Sequence, residues 1–398
     1  MTQSYDVVIA GGAVMGSSSA YHLAADRDFN GRVLVIDKDL SFQKCASALS
    51  ASSIRQQYST RINIRASLFG LWFIRHIGTL LEVDGEHPDV AFRENGYLYL
   101  ATEQSRHLLE SNNLLQLSEG ANIQLLDPDR LQQKFPWMQR TGIALGSWGA
   151  TGEGWFDGYT LMHALRRKAR SLGVTYMQGQ VVDLEWSGNM VTGVRLPSGE
   201  TIACGALLNT CGASGARQLA KQARFHIPVF SRKRSVFSFT IQSGIAAQDI
   251  AQFPLLIDTT GVWVRTEGSG FLTGVSPQEP DDPERFDYEV DWPIFEETIW
   301  PALAERVPAF ESIKPGRAWA GHYDLNTFDH NAIVGRIPGC DNAYLAAGFS
   351  GHGLQQSPAV GRGLAELIVH GRYVSLDLSD FGTDRIVEKR PLLETNVI

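Results

Sequence analysis

Short unbroken apolar runs open the chain, longer amphipathic stretches follow, and the order of the two predicts the architecture. Val7-Val8-Ile9 and Arg32 to Ile36 read as strands buried on both faces of a parallel sheet, with a helix from Ser17 to Ala25 between them. Ile62 to Leu81 is the most apolar stretch, yet Arg65, Arg75 and His76 interrupt it, which predicts a buried helix rather than a membrane span. Phe92 to Leu100 reads as a hairpin turning at Asn95-Gly96, the start of a second, antiparallel region. Asp127-Pro128 predicts an N-cap with proline in the first helical position, and that helix stops before Pro136-Trp137.

An amphipathic helix from Tyr159 to Leu172, ended by Gly173, leads into strands Val174 to Met177, Val181 to Trp186 and Val191 to Leu196. Ala206 to Asn209 is then a strand running into a glycine-rich turn, Gly212 to Gly215. From Ile227 to Trp319 the pattern gives strands Ser235 to Ile241, Gly261 to Arg265 and Gly270 to Gly274 and one helix, Trp292 to Arg306, a substrate-binding sheet. Ala343 to Gly353 ends the series as a strand and glycine-rich turn opening a helix from Leu354 to His370. The expected fold is α/β, a Rossmann-like domain of residues 1–85, 150–218 and 320–398. It is interrupted by a discontinuous α+β substrate domain, residues 86–149 and 219–319, on a mostly antiparallel sheet.

The turn Gly11-Gly12-Ala13-Val14-Met15-Gly16, between a buried strand and a helix, carries the first chemistry. Free N–H groups and the positive end of a helix dipole there suit a pyrophosphate. Asp37 closes the next strand where a carboxylate can accept from an adenosine ribose hydroxyl and would repel a 2′-phosphate, which argues against NADP. Ala13 stands where this fingerprint has its middle glycine, so its methyl group is expected to crowd the pyrophosphate. The motif alone fits NAD or FAD. The second glycine-rich turn, Gly348-Phe349-Ser350-Gly351-His352-Gly353, can stabilise negative charge on a reduced flavin, a task nicotinamide does not set, and so favours FAD. Small residues from Ser47 through Ser50 to Ser53, followed by Ile54 and Arg55, suit backbone lying flat against a ligand, and the stretch alone fits a polar loop equally well.

Among 398 residues the formal charge is −8, and the nearest thing to a basic run is Arg232-Lys233-Arg234. Nucleic acid and anionic membranes are therefore excluded as main partners in favour of a small molecule. The four cysteines, Cys45, Cys204, Cys211 and Cys340, lie far apart without metal or redox spacing, which predicts reduced thiols. With the fingerprint beginning within ten residues of Met1, the expected location is the cytoplasm, and no integral membrane segment is expected. Asp324, Asn326 and Asp329 faintly outline a calcium loop, but Gly335 replaces its closing glutamate, so no metal is expected. Trp155, Trp263 and Trp319 are assigned to core packing ahead of an aromatic cage.

These stretches resemble the D-amino-acid oxidase superfamily of FAD enzymes, in particular the sarcosine oxidase, glycine oxidase and dimethylglycine dehydrogenase group. Supporting pieces are the fingerprint, Phe92 to Leu98, the turn Leu208 to Ala213, and Gly348 to Gly353. Gln56-Gln57, Trp319 to Asp329, Gly348 to Gln356 and Glu394 to Ile398 resemble a mitochondrial branch linked to assembly of respiratory complex I. The resemblance implies oxidation of the C–N bond of a secondary amine or amino acid by hydride transfer to flavin N5, with hydrolysis of the imine. The alternative it leaves open is a flavoprotein kept for assembly, with little turnover. It places Arg55, Tyr323, His352 and Gln355 at the reacting centre, and it adds Lys38, Val182, Gly212, Gly321 and Leu354 to the FAD contacts. Gly321 stands where sarcosine oxidases tether flavin through cysteine, and no histidine lies between His22 and His76, so FAD is expected to be held non-covalently. Leu272 replaces the lysine that assists oxygen and Gln355 the one that grips the substrate carboxylate, leaving oxygen, a quinone or another electron carrier as acceptor.

Overall fold

Val7 and Ile9 bury their side chains on one side of the first strand, and Val8 and Ala10 bury theirs on the other, in a second core. A strand apolar on both faces needs cover on both, and this requirement organises the first of two eight-stranded sheets in the computed structural model, which describes residues 4–396. Its main order is Ile333–Arg336, Ala343–Ala347, Thr201–Asn209, Ser4–Ala10, Val33–Asp37 and Thr175–Gln178, parallel except at the Ile333–Arg336 edge. Met190–Arg195 and Asp183–Ser187 continue from Thr201–Asn209 as an antiparallel meander. Helices Val14–Ala25, Arg61–Arg75, Gly158–Ser171 and Gly353–His370 contribute to the core on the Val7 side, and Ala216–Gln222 to the other. The Arg61–Arg75 helix crosses the start of Gly353–His370 at Gly70, where a Cβ would stand 2.1 Å from the Gln355 carbonyl oxygen.

The second sheet runs Ile313–Asn326, Val229–Ile241, Gly270–Gly274, Trp263–Glu267, Leu255–Ile257, Tyr97–Ala101, Leu145–Gly149 and Ile123–Leu126. All its pairings are antiparallel except Leu255–Ile257 with Tyr97–Ala101. The mixed α/β class with a mostly antiparallel second sheet is as the pattern predicts.

The hairpin expected at Asn95-Gly96 does not form. Gly96 does turn, at φ +87°, but Arg93 bridges to Trp155 while Tyr97–Ala101 pairs with Leu145–Gly149 and Leu255–Ile257. Every residue of Tyr97–Ala101 is buried, so it needs a partner on each edge, and distant strands supply both; turn chemistry sets the bend, not the partner. The expected helix Trp292–Arg306 is present with a π-turn, Phe295–Ile299, ahead of Pro301, which has no N–H to continue a regular ladder. Two expected divisions fall inside single elements: 319/320 within strand Ile313–Asn326 and 218/219 within helix Ala216–Gln222. Among the described residues no helix is long and apolar enough to cross a membrane. Val397 and Ile398 of the C-terminal matching stretch lie outside the described residues.

Candidate active site

A cavity of ≈ 790 Å³ is bounded by the strand ends of the first sheet at Ala10, Ile36 and Ala346, and by Val236, Trp263 and Tyr323 of the second. The carboxyl ends of parallel strands are where such sheets bind ligands. Gly11 turns there at φ +98°, and a Cβ on Gly16 would stand 1.9 Å from the Gly11 carbonyl oxygen, so this cradle admits no side chain at either place. Ala13 sits at φ −66° and ψ −161°, open to any L-residue, so the turn itself does not require a glycine here. Helix Val14–Ala25 begins with no side-chain cap and no acid in its first turn, and the same holds for Gly353–His370. Both starts border the same cavity and present N–H groups without intrahelical acceptors, the chemistry that a dinucleotide's phosphates and a flavin's anionic edge require.

Of the residues expected at the cofactor, Gly11, Ala13, Val14, Met15, Asp37, Lys38, Ser47, Ser50, Ser53, Val182, Gly212, Gly321, Ser350, Gly351, His352, Gly353 and Leu354 line this cavity. Gly12, Gly16, Ile54 and Gly348 stand behind the wall. Gly12 N–H donates to Asp37 Oδ2 at 2.7 Å, Ile54 pairs with Gly154 in a two-stranded ladder, and Gly348 N–H donates to Asp324 Oδ2 at 2.9 Å. Thr210 has no place in the fingerprint, yet its hydroxyl ties the turn by donating to the Gly11 carbonyl at 2.7 Å.

Arg55 is only 2 % exposed and lines the cavity. Its Nη1 donates to the Gln57 carbonyl, and its Nη2 to the Asn396 carbonyl at 2.7 Å and to His352 Nε2 at 3.1 Å, while its face lies 4.1 Å from the Tyr58 ring centre. Among the described residues no carboxylate forms an ion pair with it. Because guanidinium only donates, His352 accepts at Nε2 and carries its proton on Nδ1; burial, with Arg55 beside it, holds its pKa well below the usual histidine range. His352 is thus a neutral prop for Arg55. Gln355 lines the cavity too, and its Oε1 accepts from the Arg55 N–H at 2.8 Å and from Ser67, while its Nε2 donates to Tyr58. A glutamine so committed braces Arg55 and Tyr58 at the cavity wall. Tyr323 donates its hydroxyl to the Ser350 carbonyl at 2.6 Å under the Arg234 guanidinium, leaving its oxygen lone pairs free to accept. Arg234 in turn is held by Asp282 at 2.8 Å through both Nη atoms.

Two carboxylates were not singled out for this site by the sequence pattern. Glu153 is fully buried, accepts from the Gln56 N–H and from Gln57 Nε2 at 2.8 Å, and so holds the loop that carries Arg55. Asp324 accepts from the Gly348 and Phe349 N–H groups and anchors the second glycine-rich turn. A Glu in Gly-Glu-Gly carries no periodic signal, and Asp324 stands out only within the Trp319 to Asp329 stretch and as part of a faint calcium loop. Burial pushes the two carboxyls up, from 4.5 to about 7 for Glu153 and from 3.8 to about 6 for Asp324. The folded protein therefore holds protons at these two groups that the unfolded chain has lost, so their contribution to stability is greatest at acid pH and falls as pH rises through this window to about 7. Glu153→Gln should flatten that decline, removing a contribution on the order of 3 kcal/mol between pH 5 and 8. Unfolding midpoints measured across the range check this, and a variant with the wild-type slope would assign the pH dependence elsewhere.

A family model described as FAD dependent oxidoreductase matches residues 6–367. FAD-dependent oxidoreductase domain-containing protein 1 of Xenopus laevis is 41% identical over 99% of this chain and 85% of its own. Among solved structures, L-proline dehydrogenase from P. horikoshii superposes with a TM-score of 0.85 at 23% identity, covering 98% of this chain and 100% of that one. Glycine oxidase from Geobacillus kaustophilus superposes at 0.80 with 22% identity over 96% and 98%. The match over nearly the whole chain, together with a cradle and two uncapped helix starts on one cavity, makes this chain a member of the FAD dependent oxidoreductase (DAO) family.

Proposed function

We propose that the chain oxidises the C–N bond of a secondary amine or amino acid that carries a carboxylate. The observation that carries this reading is Arg55, a buried cation on the cavity wall with neutral partners only. A carboxylate completes such a site with charge-assisted hydrogen bonds. The same positive charge disfavours an ammonium group nearby, so the amine is held neutral with its lone pair ready to form the C=N bond, and the Tyr323 oxygen can accept from its N–H. Trp263, Leu255 and Ile257 give the chamber an apolar wall that excludes water. FAD, held by the Gly11–Gly16 turn, Asp37 and the Gly353 helix start, supplies the two-electron acceptor when bound.

Leu272 lies buried across from Arg265, whose guanidinium is engaged by Glu267 and the Ala51 carbonyl. Leu272 itself supplies no charge to stabilise superoxide, which supports a quinone or protein carrier over oxygen as acceptor. Anaerobic bleaching of the flavin band tests both points. N-alkyl amino acids should bleach it at least a hundredfold faster than the same amines without the carboxylate, and the reduced protein should then react faster with a quinone than with air. No bleaching across a broad panel, or equal rates for the decarboxylated amines, would overturn the reading.

The cofactor is held without a covalent bond in this reading. A Cβ on Gly321 would meet Leu49 Cβ at 2.9 Å, and burial raises the pKa of both thiols on the cavity, Cys211 to about 12 and Cys45 upward, leaving each a poor nucleophile. Acid precipitation should release all yellow colour as FAD; colour retained in the pellet would point to Cys45 first. All four cysteines are free thiols, which supports a reducing compartment such as the cytoplasm.

A further inference from the structure

Arg55 poses a physical problem, because a buried guanidinium needs its N–H groups satisfied, yet a carboxylate partner would neutralise the charge that makes it useful. The chain solves it with carbonyl groups, one from Gln57 beside it and one from Asn396, 341 residues away. Asn396 is fixed in turn. Its Nδ2 donates to the Gln57 carbonyl at 2.6 Å and its N–H to Glu394 Oε1 at 3.0 Å. Glu394 is the anchor of this segment, only 2 % exposed, and it accepts from Ser59 N–H at 2.8 Å, Ser59 Oγ at 2.6 Å, Thr60 Oγ1 at 2.8 Å and Asn63 Nδ2 at 2.9 Å. Upstream, Leu392 is held from both sides, its N–H by Asp329 Oδ2 at 3.0 Å and its carbonyl by Asn331 Nδ2 at 2.6 Å. Asn396 also lines a second cavity of ≈ 550 Å³ that shares Ile257 with the first, so the segment stands between Arg55 and that outer space.

We infer that the C-terminal segment Leu392–Asn396 is a working part of the site, which orients the Arg55 guanidinium toward the cavity without neutralising it. The inference rests on the reading of Arg55 as the carboxylate-binding group. Glu394, the carboxylate of the segment, directs its lone pairs to neutral donors and forms no ion pair with Arg55, and the segment's hydrogen bond to Arg55 comes from a carbonyl. Asn396 and Glu394 are accordingly positioning residues, and the cofactor cradle is built from other elements.

The test uses the FAD-loaded protein, a chain ending at Thr395, and the full-length Asn396→Ala variant, which carries the test if the shorter chain does not accumulate. Benzoate and its neutral analogue benzamide serve as probes through their perturbation of the flavin band, and amide exchange of residues 55–60 is followed alongside. The shortened chain should bind benzoate at least tenfold more weakly with benzamide unchanged, and should exchange the 55–60 segment at least tenfold faster, with Asn396→Ala shifted the same way by less. Unchanged benzoate affinity and exchange in an FAD-loaded, folded variant would overturn the inference. If Arg55→Ala binds benzoate as the wild type does, the carboxylate reading falls, and the exchange result alone decides the role of the segment.

Discussion

Arg55→Met should all but eliminate carboxylate binding while leaving the protein folded. Charge-assisted hydrogen bonds to a buried ligand are worth several kcal/mol, so benzoate affinity, and turnover of any carboxylate-bearing substrate, should fall by about two to three orders of magnitude. Stability should change far less than binding, because methionine removes the desolvation cost of the buried cation in nearly the same volume but also removes its attraction to nearby Glu394. The carbonyls of Gln57 and Asn396, left without their donor, add a modest cost. A thermal midpoint measured beside a benzoate titration separates the roles. A clear drop in midpoint with affinity retained would make Arg55 a structural residue and would remove the main support for an amino-acid substrate.

Gly16→Ala should give a colourless protein. The added methyl group would lie 1.9 Å from the Gly11 carbonyl oxygen and 2.9 Å from Thr210 Oγ1, and the nearer obstacle is main chain that cannot rotate away. Helix Val14–Ala25 must therefore retreat from the strand, taking with it the N–H groups that face the pyrophosphate. Overpacking of this kind costs about 1–3 kcal/mol, and loss of bound FAD removes the stabilisation that a tight ligand confers on the native state. The ratio of FAD absorbance to protein after purification reads the result. Ala13→Gly is the control, since Ala13 has an ordinary φ and ψ, and that variant should keep its FAD. A yellow, stoichiometric Gly16→Ala protein would show that the cradle yields more than its geometry allows.

The cofactor half of the molecule was legible along the chain because its determinants are local. A buried strand, a glycine turn, a helix start and an acid at the end of the next strand lie within 32 residues, from Asp6 to Asp37, and each acts through backbone geometry that residue type alone dictates. The helices Gly158–Ser171 and Gly353–His370 were legible for the same reason, since an amphipathic period and its end residues are properties of one segment.

What only tertiary structure decided is who meets whom. Asn95-Gly96 announces a turn, but the partners of Tyr97–Ala101 come from Leu145–Gly149 and Leu255–Ile257, a choice made by burial of both its faces. His352 and Gln355 are the residue types of an active site, and packing made them props by spending Nε2 on Arg55 and the amide on Ser67, Tyr58 and the main chain of Arg55. Glu153 and Asn396 lie 98 and 341 residues from Arg55 in sequence, and nothing in the sequence pattern joins either to it, yet one fixes the loop beneath it and the other accepts from its guanidinium. A hydrogen-bond partner is chosen by distance and direction in space after burial has removed water as a competitor, and the order of residues along a chain does not encode that competition.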